Sequence, residues 1–326
     1  MNDKCEWRPS VCVVAHQLRL EYPGAIYHVM NRGDRREAIF RDDGDRRRFV
    51  ETLGEVCVRS DWQVHAYCLL PNHVHLVVET PQPNWVAGMK WFLGTYTGRF
   101  NRRHKLVGHL LSGRYKSLIV DGSGSGYLRT VCEYVHLNPV RAKLVKPEQA
   151  LRGYEWSSWR EYLQTARKRP AWLRVERVLG EMGIPKDSAA GRRELEREME
   201  GRRSGGDGTA YQPIRRGWFY GDKKLKRELL GQMSERLGPE HYGEERRESQ
   251  GEKAEQIVGK GLQRLKWTEG TLRERNKGDA EKVKIAVQLR KETLVTVAWI
   301  AERLQIGSVA NGNTLLYRWR QGKHSK

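Results

Sequence analysis

Two histidines in the segment PNHVHLVVE (71–79) have the types and spacing of a metal site. Side chains alternate along a strand, so His73 and His75 project from one face while Val74 points to the other. Two imidazoles on one rigid face can supply two ligands to a divalent cation. An isolated His-x-His pattern is more often a pair of surface or core histidines, so its meaning depends on the surrounding sequence.

A second candidate group lies in YLRTVCEYVHLNPVRA (127–142). Tyr134 and Asn138 are four residues apart and therefore share a face of a helix. A phenol can attack a phosphodiester, and an amide oxygen can complete a metal site. Pro139 disfavours helical geometry at Asn138, so the helix is predicted to end or kink there. Taken alone, this segment is better explained by a packing tyrosine followed by a helix stop.

Other residues near these motifs are weaker candidates. HVHLVV matches the first four positions of the histidine-triad hydrolase pattern, but Val77 stands where the third histidine is required. Tyr127 lies seven residues before Tyr134, roughly on the same helix face, and is the reserve nucleophile. His136 would point elsewhere on a regular helix and is predicted to be structural.

The elements that must position these residues form a β-α-β-β-α-β-α order. Their predicted ranges are strand 24–33, helix 45–60, strand 62–70, strand 73–79, helix 84–103, strand 114–121 and a helix that begins near Tyr127. Pro71 and Asn72 form the turn of a hairpin. The order predicts an α+β fold of the ferredoxin-like class, with a four-stranded antiparallel sheet and helices on one face. The opposite face would be open for a ligand.

The chain beyond residue 150 changes character. We predict an N-terminal arm (1–20), a catalytic domain (21–150), a helical extension with a charged linker (151–210) and a helical C-terminal region (211–326). Residues 296–321 contain two apolar-periodic segments around Gly307, which is typical of a helix-turn-helix that enters a major groove. A plain helical hairpin explains this pattern equally well. Arg318 and Arg320 favour DNA.

The charge of the chain favours a polyanionic partner. Its 326 residues include 60 Lys+Arg and 40 Asp+Glu, a formal net charge of +20. Cationic side chains release counterions from phosphates, so a nucleic acid is the expected partner. The five cysteines contain no C-x-x-C pair and predict reduced thiols. The sequence shows neither a signal peptide nor a membrane-spanning run, which predicts a cytoplasmic, nucleoid-associated protein.

Three motifs in this order resemble a known family. PNHVH (71–75), GRYKS (113–117) and YVHLNPVRA (134–142) are similar to motifs of the HUH-type single-strand endonucleases, specifically the REP-associated tyrosine transposases. Residues 21–49, 154–163 and 215–222 also resemble segments of that family. The resemblance covers about residues 20–165 well and the remainder thinly. Leu70 stands where methionine is common, a difference without an expected consequence.

The resemblance implies a role for each candidate residue. His73 and His75 match the paired histidines that hold Mg²⁺ or Mn²⁺, Asn138 matches the third ligand, and Tyr134 matches the nucleophile. The implied activity is cleavage and strand transfer of single-stranded or hairpin DNA through a 5′-phosphotyrosine, on repetitive extragenic palindromes. A DNA-binding regulator without strand transfer and an RNA-processing nuclease are the alternatives. Duplex DNA is a second expected partner, through the C-terminal region, and either a monomer or a homodimer suits the sequence.

Basic residues in or beside the predicted loops are candidates for contacts with DNA phosphates. In the catalytic domain they are Arg32, Arg35, Arg36, Arg102, Arg103, Arg114 and Lys116. For each one taken singly, a solvated surface charge is the simpler explanation.

Overall fold

The computed structural model of the chain describes residues 19–204, 211–234, 244–293 and 295–321. The described chain forms two compact units, an N-terminal unit from Arg19 to Leu225 and a C-terminal unit from Lys226 onward. The predicted N-terminal arm lies outside the described residues, apart from 19 and 20. The domain limits drawn from the sequence stay predictions.

The N-terminal unit begins with the predicted order of strands and helices. Its elements are β1 (Ala25–Arg32), α1 (Asp43–Ser60), β2 (Gln63–Leu70), β3 (His73–Thr80), α2 (Trp85–His104), β4 (Lys116–Val120) and α3 (Tyr127–His136). Further along are α4 (Asn138–Arg141), α5 (Trp159–Tyr162), α6 (Glu176–Glu181), α7 (Ala189–Ser204), α8 (Gln212–Arg216), β5 (Phe219–Tyr220) and α9 (Lys223–Ser234), whose end belongs to the next unit. The α+β class predicted from the sequence is confirmed.

The sheet differs from the predicted one in its strand count. Its order is β2-β3-β1-β4-β5, so the described residues form five strands. The first four pair antiparallel, whereas β5 pairs parallel with β4. The prediction of a purely antiparallel four-stranded sheet is therefore wrong. A strand of two residues, far along the chain, carries no periodic signal that a sequence pattern could show.

One face of the sheet carries α1 and α2. The Tyr27 ring of β1 stacks on Trp85 of α2, with ring centroids 4.5 Å apart. Phe49 of α1 contacts Phe92 and Tyr96 of α2, both at 4.9 Å. These fully buried aromatic side chains form the core between the two helices and the sheet.

The opposite face was predicted to be open, and that prediction is wrong. His28 and His75 belong to this face, and both rings contact Tyr134 of α3. The helix has a strong apolar face with Leu128, Val131 and Val135 buried, and such a face has to be covered. Helices therefore lie on both sides of the sheet.

Both outer edges of the sheet are closed by later segments. On β2, the Leu69 amide donates to Trp156 O and the Ser158 amide donates to Tyr67 O. On β4, the Ile119 amide donates to Trp218 O, which continues into the pairing with β5.

The described part of the C-terminal unit is helical beyond α9. It contains α10 (Glu244–Leu265), α11 (Glu269–Glu274), α12 (Ala280–Glu292), α13 (Val297–Arg303) and α14 (Val309–Arg320). Their apolar faces form one core that includes Val258, Leu289, Ile300, Leu304 and Ile306. The two predicted helical segments of 296–321 are thus present as α13 and α14, whereas their role in binding DNA stays a prediction.

No helix in the described part of the chain is both long enough and apolar enough to cross a membrane.

Candidate active site

The paired histidines lie side by side on β3, as the alternation predicted. His73 begins the strand directly after the Pro71–Asn72 turn, and His75 occupies the middle of the sheet between Cys68 of β2 and Met30 of β1. The centroids of the two imidazole rings are 5.2 Å apart. His75 is buried and His73 is half-buried. The strand therefore holds two imidazoles in fixed positions, one buried and one half-buried.

A third histidine, which the sequence analysis did not identify, completes the cluster. His28 on β1 is buried, and its Nε2 lies 3.0 Å from Nδ1 of His75. The two rings are parallel within 10°, with centroids 5.3 Å apart. In the register of β1 with β3, His28 pairs with Val77, two residues along from His75 on the same face. Its part in the site depends on this pairing.

Burial keeps these imidazoles neutral at neutral pH. It lowers the pKa of His28 from 6.5 to about 4. The pKa of His75 lies well below its ordinary value, first because of burial and then because His28, His73, Arg141 and Arg32 are close. Burial and Arg32 also lower the pKa of His73. A neutral imidazole has one nitrogen lone pair, which is the form that binds a metal ion.

The hydrogen bonds of the two β3 histidines indicate which nitrogen carries that lone pair. Nδ1 of His73 lies 2.7 Å from Oδ1 of Asn72, an acceptor, so the proton belongs on Nδ1. If Nδ1 of His75 donates to His28, that proton is fixed in the same way. Nε2 of both rings is then the ligand atom. Partners of this kind orient metal-binding histidines in proteins.

Helix α3 places Tyr134 against the cluster. The helix begins after Gly126, whose φ of +84° in the GSGSG loop suits glycine. Its Glu133 side chain is buried and bonds to Arg129 at 2.8 Å and to Arg202 of α7 at 2.6 Å, which fixes the helix from behind. The Tyr134 ring lies 5.6 Å from the His28 ring and 5.7 Å from the His75 ring, centroid to centroid. The predicted nucleophile and the histidines therefore share one face of the sheet.

The helix ends within two residues of the position predicted from Pro139. It stops at His136, and the short α4 begins at Asn138 with proline in its first turn. The side chains of Asn138 and Arg141 donate to the carbonyl oxygen of Tyr134, at 3.0 and 2.8 Å. These bonds place both side chains beside Tyr134.

A cation and a second tyrosine lie next to Tyr134. The guanidinium carbon of Arg141 is 4.7 Å from the centre of the Tyr134 ring and 4.3 Å from that of Tyr211. The two tyrosine rings are 5.6 Å apart. Sequence analysis missed both residues. Arg141 was detectable, because it follows Tyr134 by seven residues in a helical segment; nothing in the sequence links Tyr211 to the site.

The other two residues weighed in this helix lie elsewhere. Tyr127, the predicted reserve nucleophile, contacts Tyr220 of β5 at 5.2 Å instead of the histidines. Two helical turns separate it from Tyr134, too far to replace it. His136 is buried, with Nε2 2.9 Å from Oγ of Ser158 and its ring against Trp159 and Tyr162. Its environment is that of a core residue.

The described residues contain no group of three or more His, Cys, Asp and Glu side chains arranged to hold a metal ion. A cation bound by His73 and His75 would need a ligand of another type. Asn138 has Nδ2 engaged with Tyr134, so Oδ1 is the atom it would offer. An amide oxygen is a ligand type that Mg²⁺ and Mn²⁺ accept.

Two of the basic candidates share the face of the histidines. Arg32 pairs with His73 in the register of β1 with β3. Lys116 pairs with Met30, which in turn pairs with His75. Residues that pair across strands project to the same side. Both cations therefore extend the histidine row across the sheet.

The remaining basic candidates are exposed or already paired. Arg35, Arg36, Arg102 and Arg114 are exposed. Arg103 binds Asp42 and the buried Asp45 at the end of α2, at 2.7 and 2.5 Å. Its prediction as a phosphate contact is not supported, because the two carboxylates hold the guanidinium. Arg318 is exposed on α14, and the side chain of Arg320 lies outside the described residues.

A known protein family matches a segment of the chain that contains much of this site. The family model described as Transposase IS200 like matches residues 22–138, a segment that ends at Asn138. Residues 22–138 are therefore similar to IS200-like transposases. The matched segment includes the first four strands, both histidines of β3 and Tyr134.

One solved structure is similar to about half of the chain. That structure is described as a REP-associated tyrosine transposase bound to a REP hairpin; the TM-score is 0.39 at 14% identity, and the match covers 49% of this chain and 91% of the other. A search of curated proteins found no match.

Proposed function

We propose that the chain is a metal-dependent endonuclease and strand transferase that acts on single-stranded or hairpin DNA. The observation that carries the proposal is the approach of Tyr134 to His28 and His75, at 5.6 and 5.7 Å between ring centroids. The match of residues 22–138 to the IS200-like transposase model supports DNA as the substrate class. The sequence resemblance supports hairpins of repetitive extragenic palindromes as the substrate.

The sequence resemblance implies Mg²⁺ or Mn²⁺ as the cation. His73 and His75 would hold the cation through their Nε2 atoms, and Asn138 would add its Oδ1. A cation bound there would polarise a phosphate and offset the charge of its oxygens during in-line displacement. Two neutral nitrogens and one amide leave most of the ionic charge available to the phosphate.

The side chain of Tyr134 supplies the nucleophile. Its phenolic oxygen bonds to phosphorus, the bond from phosphorus to O3′ breaks, and O3′ leaves with a proton as a free hydroxyl. The product is a 5′-phosphotyrosine. Attack by the 3′-hydroxyl of a second strand would release Tyr134 and rejoin the DNA, so cleavage and strand transfer use the same residues in opposite directions.

Positive charge around the tyrosine supports this chemistry. Arg141 lies over the Tyr134 ring, and Arg32 and Lys116 belong to the histidine face. These groups would attract the DNA backbone and stabilise charge on the attacking oxygen and the phosphate. Burial of Tyr134, which is 7% exposed, strengthens such interactions because water is largely excluded.

Covalent trapping tests the proposal. The full-length protein is incubated with labelled DNA hairpins and Mn²⁺, and the protein-linked label is measured after denaturation. We expect an adduct with the native chain and none with Tyr134→Phe. Tyr211→Phe is the matched control, since it alters the neighbouring phenol and should leave the adduct. His73→Ala should abolish cleavage while retaining most hairpin affinity.

An adduct that persists in Tyr134→Phe would refute the assignment of the nucleophile. Equal cleavage of RNA and DNA hairpins would indicate an RNA-processing nuclease instead. Hairpin binding without any cleavage, in the presence of Mg²⁺ or Mn²⁺, would indicate a regulator.

A further inference from the structure

Helix α14 presents a polar outer face with the chemistry of base recognition. Apart from Val309 at its start, its exposed residues are Ala310, Asn313, Thr314, Tyr317 and Arg318. Positions separated by three, four and seven residues lie on the same side of a helix. Tyr317 is 64% exposed, a large value for an aromatic side chain. Solubility alone does not require this combination of exposed side chains.

The inner face of α14 is held tightly against α13. A Cβ atom on Gly312 would lie 3.1 Å from Cγ1 of Val297, so the absence of a side chain there allows the two helices to approach closely. Leu315 and Leu316 pack against the core of the unit. The outer face is thus displayed on a firmly packed helix.

The connection between the two helices is fixed as well. Gln305 and Gly307 have φ values of +54° and +93°. The buried Lys282 donates from Nζ to the carbonyl of Gln305 at 3.4 Å, and Asn311 donates to the carbonyl of Ile306 at 2.6 Å. A defined turn sets the direction in which α14 projects.

The charge of the segment after α13 suits a phosphate backbone. Residues 304–326 contain four basic residues, Arg318, Arg320, Lys323 and Lys326, and no Asp or Glu. Arg303, just before them, is held by Glu255 and Glu269. Lys277 lies beside the turn, since a Cβ on Gly307 would be 3.2 Å from its Cδ. A partner with regularly spaced negative charges complements this distribution.

We propose that α14 docks in the major groove of double-stranded DNA. This surface is separate from the proposed cleavage site and does not depend on it. The major groove of B-form DNA admits a helix, whereas the deep, narrow groove of A-form RNA does not. Asn313 has the group that pairs with adenine, Arg318 has the group that pairs with guanine, and the methyl groups of Ala310 and Thr314 suit thymine.

Selection of duplexes tests the proposal with the full-length protein. DNA is selected from a random double-stranded library, and affinity for the enriched duplex is measured by fluorescence anisotropy. We expect Asn313→Ala and Arg318→Ala each to weaken binding roughly 5- to 150-fold, the usual effect of losing a bidentate base contact. Lys260→Ala, which removes an exposed charge from α10, is the control and should change affinity less than about threefold.

The outcomes separate this inference from the proposed cleavage activity. Trapping on hairpins should be unchanged in Asn313→Ala, whether or not the cleavage proposal is correct. Arg318→Lys keeps the charge but not the paired donors, and it should lose most of the specificity. Failure to enrich a shared sequence, equal losses in Arg318→Ala and Lys260→Ala, or equal competition by duplex RNA would each overturn the proposal.

Discussion

Replacement of His28 by phenylalanine isolates the support that His28 gives to His75. The variant keeps an aromatic ring against Tyr134 and removes the 3.0 Å bond to Nδ1 of His75. A buried donor without an acceptor costs about 1–3 kcal/mol. Without metal, His75 can move its proton to Nε2 and avoid part of this cost. With a metal ion on Nε2, His75 cannot move this proton, so the free-energy penalty falls mainly on the metal-bound state.

We therefore expect His28→Phe to weaken Mn²⁺ binding about 10- to 100-fold, the range seen when partners of metal-binding histidines are removed. Paramagnetic resonance of Mn²⁺ titrated into the full-length protein, without DNA, measures the affinity directly. His28→Gln retains an acceptor oxygen and should lie between the two. If the folded phenylalanine variant bound Mn²⁺ as tightly as the native chain, our assignment of the His75 tautomer would be wrong.

Three further predictions concern stability and DNA binding. Burial lowers the pKa of His136 to about 3, whereas the pKa of an unfolded histidine is about 6.5. As the pH falls, the unfolded state therefore binds a proton at this residue before the folded state does. Acidification from pH 7 to 5 should remove about 2 kcal/mol from the free energy of unfolding through His136. Urea unfolding at both pH values should show a smaller loss in His136→Gln, and an equal loss would contradict the burial argument. Arg103→Ala should lower the thermal midpoint and leave hairpin affinity unchanged, whereas Arg102→Ala, an exposed neighbour, should weaken hairpin binding and reduce its salt slope by about one. Gly88→Ala should destabilise the unit by about 1–3 kcal/mol, because its Cβ would overlap the ring of the buried Trp62. Gly94→Ala on the same helix faces open space and should be neutral or stabilising, and similar thermal midpoints for the two variants would refute the packing argument.

Local patterns predicted the parts of the site that depend on one segment. Alternation in HVHLVVE placed His73 and His75 on the same face, because the period of a strand is a property of neighbouring residues. The spacing of Tyr134, Asn138 and Pro139 predicted the end of the helix for the same reason.

Parts of the site that depend on distant pairing were not predictable. His28 is assigned to the cluster only by the register between β1 and β3, and Tyr211 lies 77 residues beyond Tyr134. The choice of face for α3 was missed because amphipathicity shows that a helix is covered on one side, without showing which surface covers it. The strand β5 was too short to give any pattern.

The way strands β2 and β4 are covered determines how the N-terminal unit can be prepared as a fragment. A protein truncated at Asn138, the end of the family match, would lack the segment around Trp156 that pairs with β2 and the segment around Trp218 that pairs with β4. Exposed rows of amide and carbonyl groups invite strand addition between molecules. Fragments that end at residue 138 should therefore self-associate, and expression of the N-terminal unit alone should extend through Leu225.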